Sequence, residues 1–302
     1  MNKKVVVTGG AGFIGSNLVD ALVAKGYEVH VIDNLSGGKK SNVNSQAVLH
    51  EVDIRDLEKI SPVIAGAQYV FHLAAQPRVQ YSIEQPVETN DHNVSGTINV
   101  LVAARDAKVE KVVYSASSSA YGDQDTMPLV ETMEARPKSP YGLQKYIGEM
   151  YAKVFSEVYG LPTVSLRYFN VYGPRQNPDG AYALVVGKFL KQRCENQPIT
   201  ITGDGLQTRD FTHVSDVVSA NILAAESADI KNGEVFNIGA GRNQSIKYVA
   251  ECVGGEIEYV PARLEPHDTL ADNSKARQQL GWEPKVKFED GITELKKLAG
   301  LA

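Results

Sequence analysis

Tyr141 and Lys145, four residues apart in the run SPYGLQKYIGE, have the types and spacing for acid–base chemistry. On a helix, positions i and i+4 share a face, so the lysine ammonium comes close to the phenol. A free tyrosine titrates near pH ~10 and is a poor base at neutrality. A fixed cation favours its phenolate and brings it into a useful range. The same spacing also arises as an exposed amphipathic pair, so the pattern needs support from elsewhere in the chain.

The opening residues supply it. Val5, Val6 and Val7 make a continuous apolar run over 4–8, as expected of a strand covered on both faces. Gly9, Gly12 and Gly15 follow at three-residue spacing, with Phe13 and Ile14 between, and then a helical pattern through Leu18, Leu22 and Val23. Strand, glycines and helix in that order predict a pyrophosphate site. The glycines allow a tight turn, a close backbone approach and close helix–strand packing. The helix amino end adds free N–H groups and positive dipole. A second predicted strand, 28–32, ends in Asp33, 18 residues beyond Gly15. A carboxylate there accepts from ribose hydroxyls and repels a 2′-phosphate, which favours NAD over NADP; Lys39 and Lys40 soften that preference. After the third strand, Asp53 suits the adenine amino group and Ile54 the face of the ring. Asp53 equally suits the cap of a helix starting near Leu57.

Strand signals at 4–8, 28–32, 47–51, 69–73, 111–115 and 163–166 alternate with helical ones, notably 93–107 and 141–159. Such alternation predicts an α/β fold: a Rossmann-type doubly wound parallel sheet with ligands beyond its carboxyl ends. His72, residues 115–119 and residues 167–170 fall at those ends. After Asn170 the pattern becomes irregular and rich in glycine turns. The expected division is an NAD-binding domain over 1–169 with a returning segment near 211–240. A smaller substrate lobe takes 170–210 and 241–302.

Composition narrows the partners. In 302 residues, 31 basic side chains against 36 acidic give a net charge of −5, with no basic block to suit nucleic acid. Cys194 and Cys252 have no metal-ligand spacing and read as buried reduced thiols, so no metal is expected. The first strand begins at once, and no apolar run approaches ~18 residues, so a cytoplasmic protein without a membrane partner is expected.

With these pieces in place the chain resembles the extended short-chain dehydrogenase/reductases, and among them the nucleotide-sugar epimerases acting at C4 of UDP-glucose, UDP-galactose and UDP-N-acetylglucosamine. The resemblance runs over nearly the whole length. It rests on TGGAGFIG (8–15), Asp33-Asn34-Leu35-Ser36, HLAAQ (72–76), SSSAYG (117–122), Tyr141 to Lys145, LRYFNVYG (166–173), Gly203-Asp204-Gly205, Arg209-Asp210-Phe211 and Ala271-Asp272. It implies inversion at C4 of a UDP-hexose through a transient 4-keto sugar. Tyr141 would act as base, Lys145 would hold the nicotinamide ribose and activate the tyrosine, and Ser117 would share the O4 hydrogen bond. It implies that Asn34, Leu73, Ala74, Ala75, Asn93, Ser115 and Tyr168 join the glycine loop around NAD. Asn93 would otherwise be an ordinary helix cap, and the serines a turn cap.

For the UDP-sugar it implies Ser118 at the hexose. Asn170, Arg209 and Arg263 would lie at the diphosphate, where an arginine fork suits phosphate oxygens. Ala183, Leu184 and the strand 199–201 would line the uridine, and Glu265 would bind its ribose. Thr269 falls where relatives of narrow selectivity carry tyrosine, which implies room for an N-acetyl group. Dehydratases of the superfamily carry Thr-Asp-Glu where this chain has Ser117, Ser118 and Ser119, so dehydration is disfavoured. UDP-glucuronate epimerases, decarboxylases and NAD-sensing proteins are the rival readings. Relatives dimerise through two helices per subunit, with 93–107 and 141–159 the candidates here.

Overall fold

The structure, a computed structural model, describes residues 3–178, 184–261 and 268–301. Ala183, Arg263 and Glu265 lie outside the described residues. Seven strands form one parallel sheet: β1 (Lys4–Thr8), β2 (Glu28–Ile32), β3 (Val48–His50), β4 (Tyr69–His72), β5 (Lys111–Ser117), β6 (Thr163–Tyr168) and the late strand Asn232–Ile238. Their order is Asn232–Ile238, β6, β5, β4, β1, β2, β3. Valines and isoleucines predominate in these strands because helices cover both faces, and Val5, Val6, Val7, Val70, Phe71, Val112 and Val113 are all fully buried. The order reverses between β1 and β4, and the crevice beyond their carboxyl ends is where such sheets bind ligands.

Helix boundaries follow local chemistry. The Pro140–Tyr159 helix starts at Ser139, whose Oγ accepts from Gly142 N at 3.1 Å, and has proline in its first turn. Gly160 ends it in the left-handed region at φ +66°, where glycine has no Cβ to clash. The predicted helix 93–107 is longer than expected. It runs without a break from Pro86 through a π-turn at Asp91–Ser95 to Asp106. Asn93 therefore sits inside a helix, not at its cap. Asp56, not Asp53, caps the Leu57–Ile64 helix, accepting from Lys59 N at 3.2 Å.

The second lobe has its own core, with Phe189, Ile199, Ile201, Phe211, Val249 and Ile292 among its members. Ile199 and Ile201 are fully buried there, so they support the lobe instead of lining a uridine site. Small ladders join Val171–Tyr172 to Thr212–His213, Thr208–Asp210 to Asn243–Ser245, and Ile199–Thr202 to Ile257–Val260. Ala276, Leu280 and Trp282, assigned by sequence to this lobe, pack instead into the core beside the main sheet. Cys194 is exposed and Cys252 half-buried, both as free thiols, which corrects the expectation of burial.

Candidate active site

The glycine turn at the end of β1 divides its labour. Gly9 has φ +74°, and a Cβ there would stand 2.7 Å from the Ala74 backbone nitrogen. A Cβ on Gly15 would stand 2.1 Å from the Gly9 carbonyl oxygen, so this glycine lets the Phe13–Ala24 helix lie against its strand. At Gly12 the added carbon would meet only the Gly9 oxygen, at 3.2 Å. Gly12 thus keeps open the space at the helix amino end, which has no acidic residue in its first turn. An opening that a side chain would fill, at a positive helix end, fits a pyrophosphate.

Asp33 is buried at the end of β2 and accepts from Ala11 N at 2.9 Å and Leu35 N at 2.8 Å. Its carboxylate braces the glycine turn from the side where an adenosine ribose would lie. Asn34 donates to Asp53 at 2.8 Å, and Arg55 grips the same carboxylate, holding it well below the usual range. Lys40 pairs with Glu51 at 2.8 Å. Ile54 is buried, and a Cβ on Gly96 would stand 2.6 Å from its side chain, so Gly96 lets the helix pack against it.

The π-turn has a clear use. Asn93 accepts from Gln76 N at 2.7 Å and donates to the Gln76 carbonyl at 3.1 Å and to Gln144 Oε1 at 2.8 Å. It thereby ties the loop after β4 to the helix that carries Tyr141 and Lys145; π-turns recur at such functional positions. Below it, His72 shares hydrogen bonds with the hydroxyls of Thr8 (2.7 Å) and Thr97 (2.9 Å). Burial, helped by the nearby Lys145 charge, lowers its pKa to about 3 and keeps it neutral.

Ser117 is the last residue of β5, two beyond the predicted end of the strand. Its Oγ accepts from Ser119 N at 3.2 Å, and its hydroxyl is near enough to the Tyr141 phenol to favour the phenolate. The turn-capping reading is satisfied by that bond from Ser119. Ser118 opens the short helical turn that follows and is partly accessible.

Tyr141 is raised above its ordinary pKa by burial, with the Ser117 hydrogen bond opposing. Lys145 Nζ donates to the Ser115 carbonyl at 2.6 Å and lies 4.9 Å from the centre of the Tyr114 ring. Burial lowers its own pKa to about 7. Burial is the largest influence on both groups. Tyr168, at the end of β6, donates to Asn221 Oδ1 at 2.9 Å. Leu73, Ala74 and Ala75 follow β4 beside Gly9.

Asn170 and Thr269 meet beside the strand that carries Arg209. Asn170 Nδ2 donates to the Asp210 carbonyl at 3.0 Å and to Thr269 Oγ1 at 3.3 Å. Arg209 donates to its neighbour's carbonyl, Thr208 O, at 2.9 Å. Leu184 caps the Val185–Cys194 helix and is half exposed. Sequence reasoning gave no role to Asp210 or Gln144. The fully buried Asp210 carboxylate accepts from Ala240, Gly241 and Ala271 at 2.8–3.0 Å, holding two remote segments to the strand that carries Arg209. The signal for it was the glycine turn at 239–241. Gln144, held by Asn93 and by Thr89 at 3.0 Å, left no signal beyond its place on the helix.

A parallel sheet with this glycine turn, an acidic residue closing β2, and tyrosine, lysine and serine grouped beyond β5 defines a dinucleotide-dependent enzyme of the short-chain dehydrogenase/reductase class. Residues 5–239 match the model of the NAD dependent epimerase/dehydratase family. The chain belongs to that family. It is 41% identical to a putative UDP-glucose 4-epimerase of Methanocaldococcus jannaschii, covering 95% of each chain. A solved UDP-glucose 4-epimerase of Thermotoga maritima with UDP-glucose superposes with TM-score 0.92 at 41% identity, covering 98% of this chain and 99% of that one. A UDP-N-acetylglucosamine 4-epimerase of Methanobrevibacter ruminantium, in complex with UDP-N-acetylmuramic acid, gives TM-score 0.92 at 39% identity, covering 98% and 97%.

Proposed function

We propose that the protein inverts C4 of UDP-hexoses, interconverting UDP-glucose with UDP-galactose and UDP-GlcNAc with UDP-GalNAc. The observation that carries this reading is the grouping of the Ser117 and Tyr141 hydroxyls with the buried Lys145, with serine at both positions after Ser117. Without a carboxylate at 117–119, the elimination of water used by dehydratases lacks its acid–base pair.

NAD, held by the glycine turn and Lys145, would supply the redox capacity, taking up hydride from C4 and giving it back. The chain's own residues do the rest. Tyr141 takes the O4 proton and later returns it, and Ser117 holds O4 and the phenol in one hydrogen-bonded line. Lys145 is fixed by Ser115 and Tyr114 at the floor of the site, where a cofactor ribose would meet it. Asn170 and Arg209, with Arg263, hold the diphosphate. Leu184 with Ala183 bounds the uridine, and Glu265 takes its ribose. A diphosphate anchored there leaves the 4-keto sugar free to present its other face.

The same proposal takes the protein as a cytoplasmic homodimer. Leu143, Met150, Val154 and Val158 are 44–66% exposed and spaced seven, four and four residues apart, which places them on one face of the Pro140–Tyr159 helix. No helix among the described residues is long and apolar enough to cross a membrane. Val154→Arg, read by analytical ultracentrifugation, should give monomers; an unchanged dimer rejects this interface.

Incubation with UDP-glucose tests the function. UDP-galactose without net NADH supports epimerisation. Accumulating NADH marks a dehydrogenase, and no turnover marks a sensor. Parallel reactions with UDP-GlcNAc and UDP-glucuronate separate the neutral sugars from the acidic one.

A further inference from the structure

Arg175 joins two parts of the chain that its sequence position keeps far apart. Its Nη2 donates to Asp20 Oδ2 at 2.6 Å and Asn17 Oδ1 at 3.0 Å, both on the Phe13–Ala24 helix, and Nη1 donates to the Asn42 carbonyl at 3.2 Å. Asn17 Nδ2 returns a bond to the Pro174 carbonyl at 3.0 Å. Asn42 ends the loop that follows Asp33. That loop is fastened to the glycine turn twice, by Lys39 N (3.0 Å) and Asn42 Nδ2 (3.1 Å), both onto the Ala11 carbonyl. Gly38 touches the same residue so closely that a Cβ would stand 2.8 Å from it. Every acceptor of Arg175 therefore belongs to the cradle formed by the helix, the glycine turn and the loop after Asp33.

Arg175 reaches them from a costly conformation. Its φ is +68°, and Asn170 (φ +29°) and Gly173 (φ +148°) lie in the same six-residue segment. Left-handed backbone at a non-glycine residue persists when its surroundings over-determine it, and it gathers at ligand clamps. Stability does not explain the arrangement, since the Arg175–Asp20 side chains are 28% and 41% exposed, and such pairs add little to folding. The near end of the segment is fixed independently by Asn170 on Asp210 and Thr269.

We propose that Arg175 is a positioning residue for the cofactor: it latches the second lobe across the dinucleotide cradle and slows release of bound NAD. Retention matters in a reaction that returns the cofactor to its starting state each turn. The inference rests on NAD as cofactor and does not depend on which sugar nucleotide reacts.

The test is the rate at which NAD leaves the purified holoenzyme, followed by exchange against labelled NAD without sugar nucleotide. Arg175→Ala should release NAD at least tenfold faster than the unmodified protein, and Arg175→Lys and Asp20→Asn should fall between. Raised salt should speed release from the unmodified protein and leave Arg175→Ala nearly unaffected. An Arg175→Ala rate equal to that of the unmodified protein overturns the proposal. So does faster release matched by a large drop in the melting temperature of NAD-free protein and not repaired by lysine, since that marks a general loss of folding. Failure of epimerisation with NAD release behaving as expected would count against the sugar reading alone.

Discussion

The Lys145 ammonium nitrogen stands 2.6 Å from the carbonyl oxygen of Ser115, its one hydrogen-bond acceptor among the described residues. One neutral acceptor is poor compensation for a buried charge. The lysine's folded-state pKa falls from 10.5 to about 7. A base whose pKa is lowered by folding weakens the fold most below its folded pKa. The penalty fades as pH rises from about 7 towards 10.5, where the unfolded chain also gives up the proton. Lys145→Met keeps most of the volume and removes the charge. Allowing for the Ser115 carbonyl left without its donor, we expect NAD-free Lys145→Met to be more stable by about 2–3 kcal/mol at pH 6. The gain should shrink towards zero by pH 10, while epimerisation is lost. Denaturant melts at the two pH values check this; a variant weaker at both rejects the account.

The same pair sets a pH profile. Burial raises Tyr141 and lowers Lys145, so the first proton leaves the pair near 7. It belongs to the pair and not to one residue, because phenolate with ammonium and phenol with amine differ only by an internal transfer. The base-competent form therefore grows as pH rises through about 7, and kcat/KM should follow it. In Lys145→Met the tyrosine must ionise alone, so any remaining activity should shift to alkaline pH. Tyr141→Phe should lose about 10²–10⁴-fold at every pH, the usual range for a positioned acid–base group. A lysine variant that keeps a midpoint near neutrality would remove the lysine from the titration.

The three glycines of the opening turn should fail in different ways. A methyl group on Gly15 meets the Gly9 carbonyl at 2.1 Å, which backbone must yield to relieve. Gly15→Ala should cost about 1–3 kcal/mol of stability. On Gly12 the methyl projects into the opening, with its only neighbour at 3.2 Å. Gly12→Ala should fold almost normally yet bind NAD at least tenfold more weakly. Calorimetric NAD binding and thermal melts on both proteins separate the effects. Equal loss of stability in both would mean that Gly12 is also structural.

Much of this site was legible because its signals are local. Glycine spacing after a valine strand reports a turn, and Tyr141 with Lys145 reports a helix face; neither needs tertiary information. The six leading strands were placed within two residues of their observed ends, since each carries its own apolar run. What escaped depends on partners remote in sequence. Asn93 looks like a cap until Pro86 to Asn90 proves helical and feeds a π-turn into it. The close packing of Gly96 on Ile54 likewise left no local signal. Lys145 looks like a simple activating charge until its burial between Ser115 and Tyr114 is known. Trp282 follows an irregular stretch, and only the fold shows its indole nitrogen donating to the Asp216 carbonyl at 2.8 Å on the sheet side.

Thr269 offers a test of substrate breadth. Its hydroxyl accepts from Asn170 Nδ2 and from Asp210 N, both at 3.3 Å, so a small side chain is tied down beside a proposed diphosphate ligand. Its backbone N–H donates to the Thr208 carbonyl at 3.1 Å, which holds position 269 against the strand that carries Arg209. Thr269→Tyr keeps that backbone bond and fills the neighbouring space with a ring. If that space receives the C2 substituent, the loss should fall on the acetylated sugars. We expect kcat/KM for UDP-GlcNAc to drop at least tenfold, with UDP-glucose changed less than about threefold, the discrimination typical of a filled pocket. Because one of the two lost hydrogen bonds comes from Asn170, KM for both substrates should rise together by a small factor, which Thr269→Val measures separately. Equal losses on both sugars in the tyrosine variant would place the N-acetyl group elsewhere.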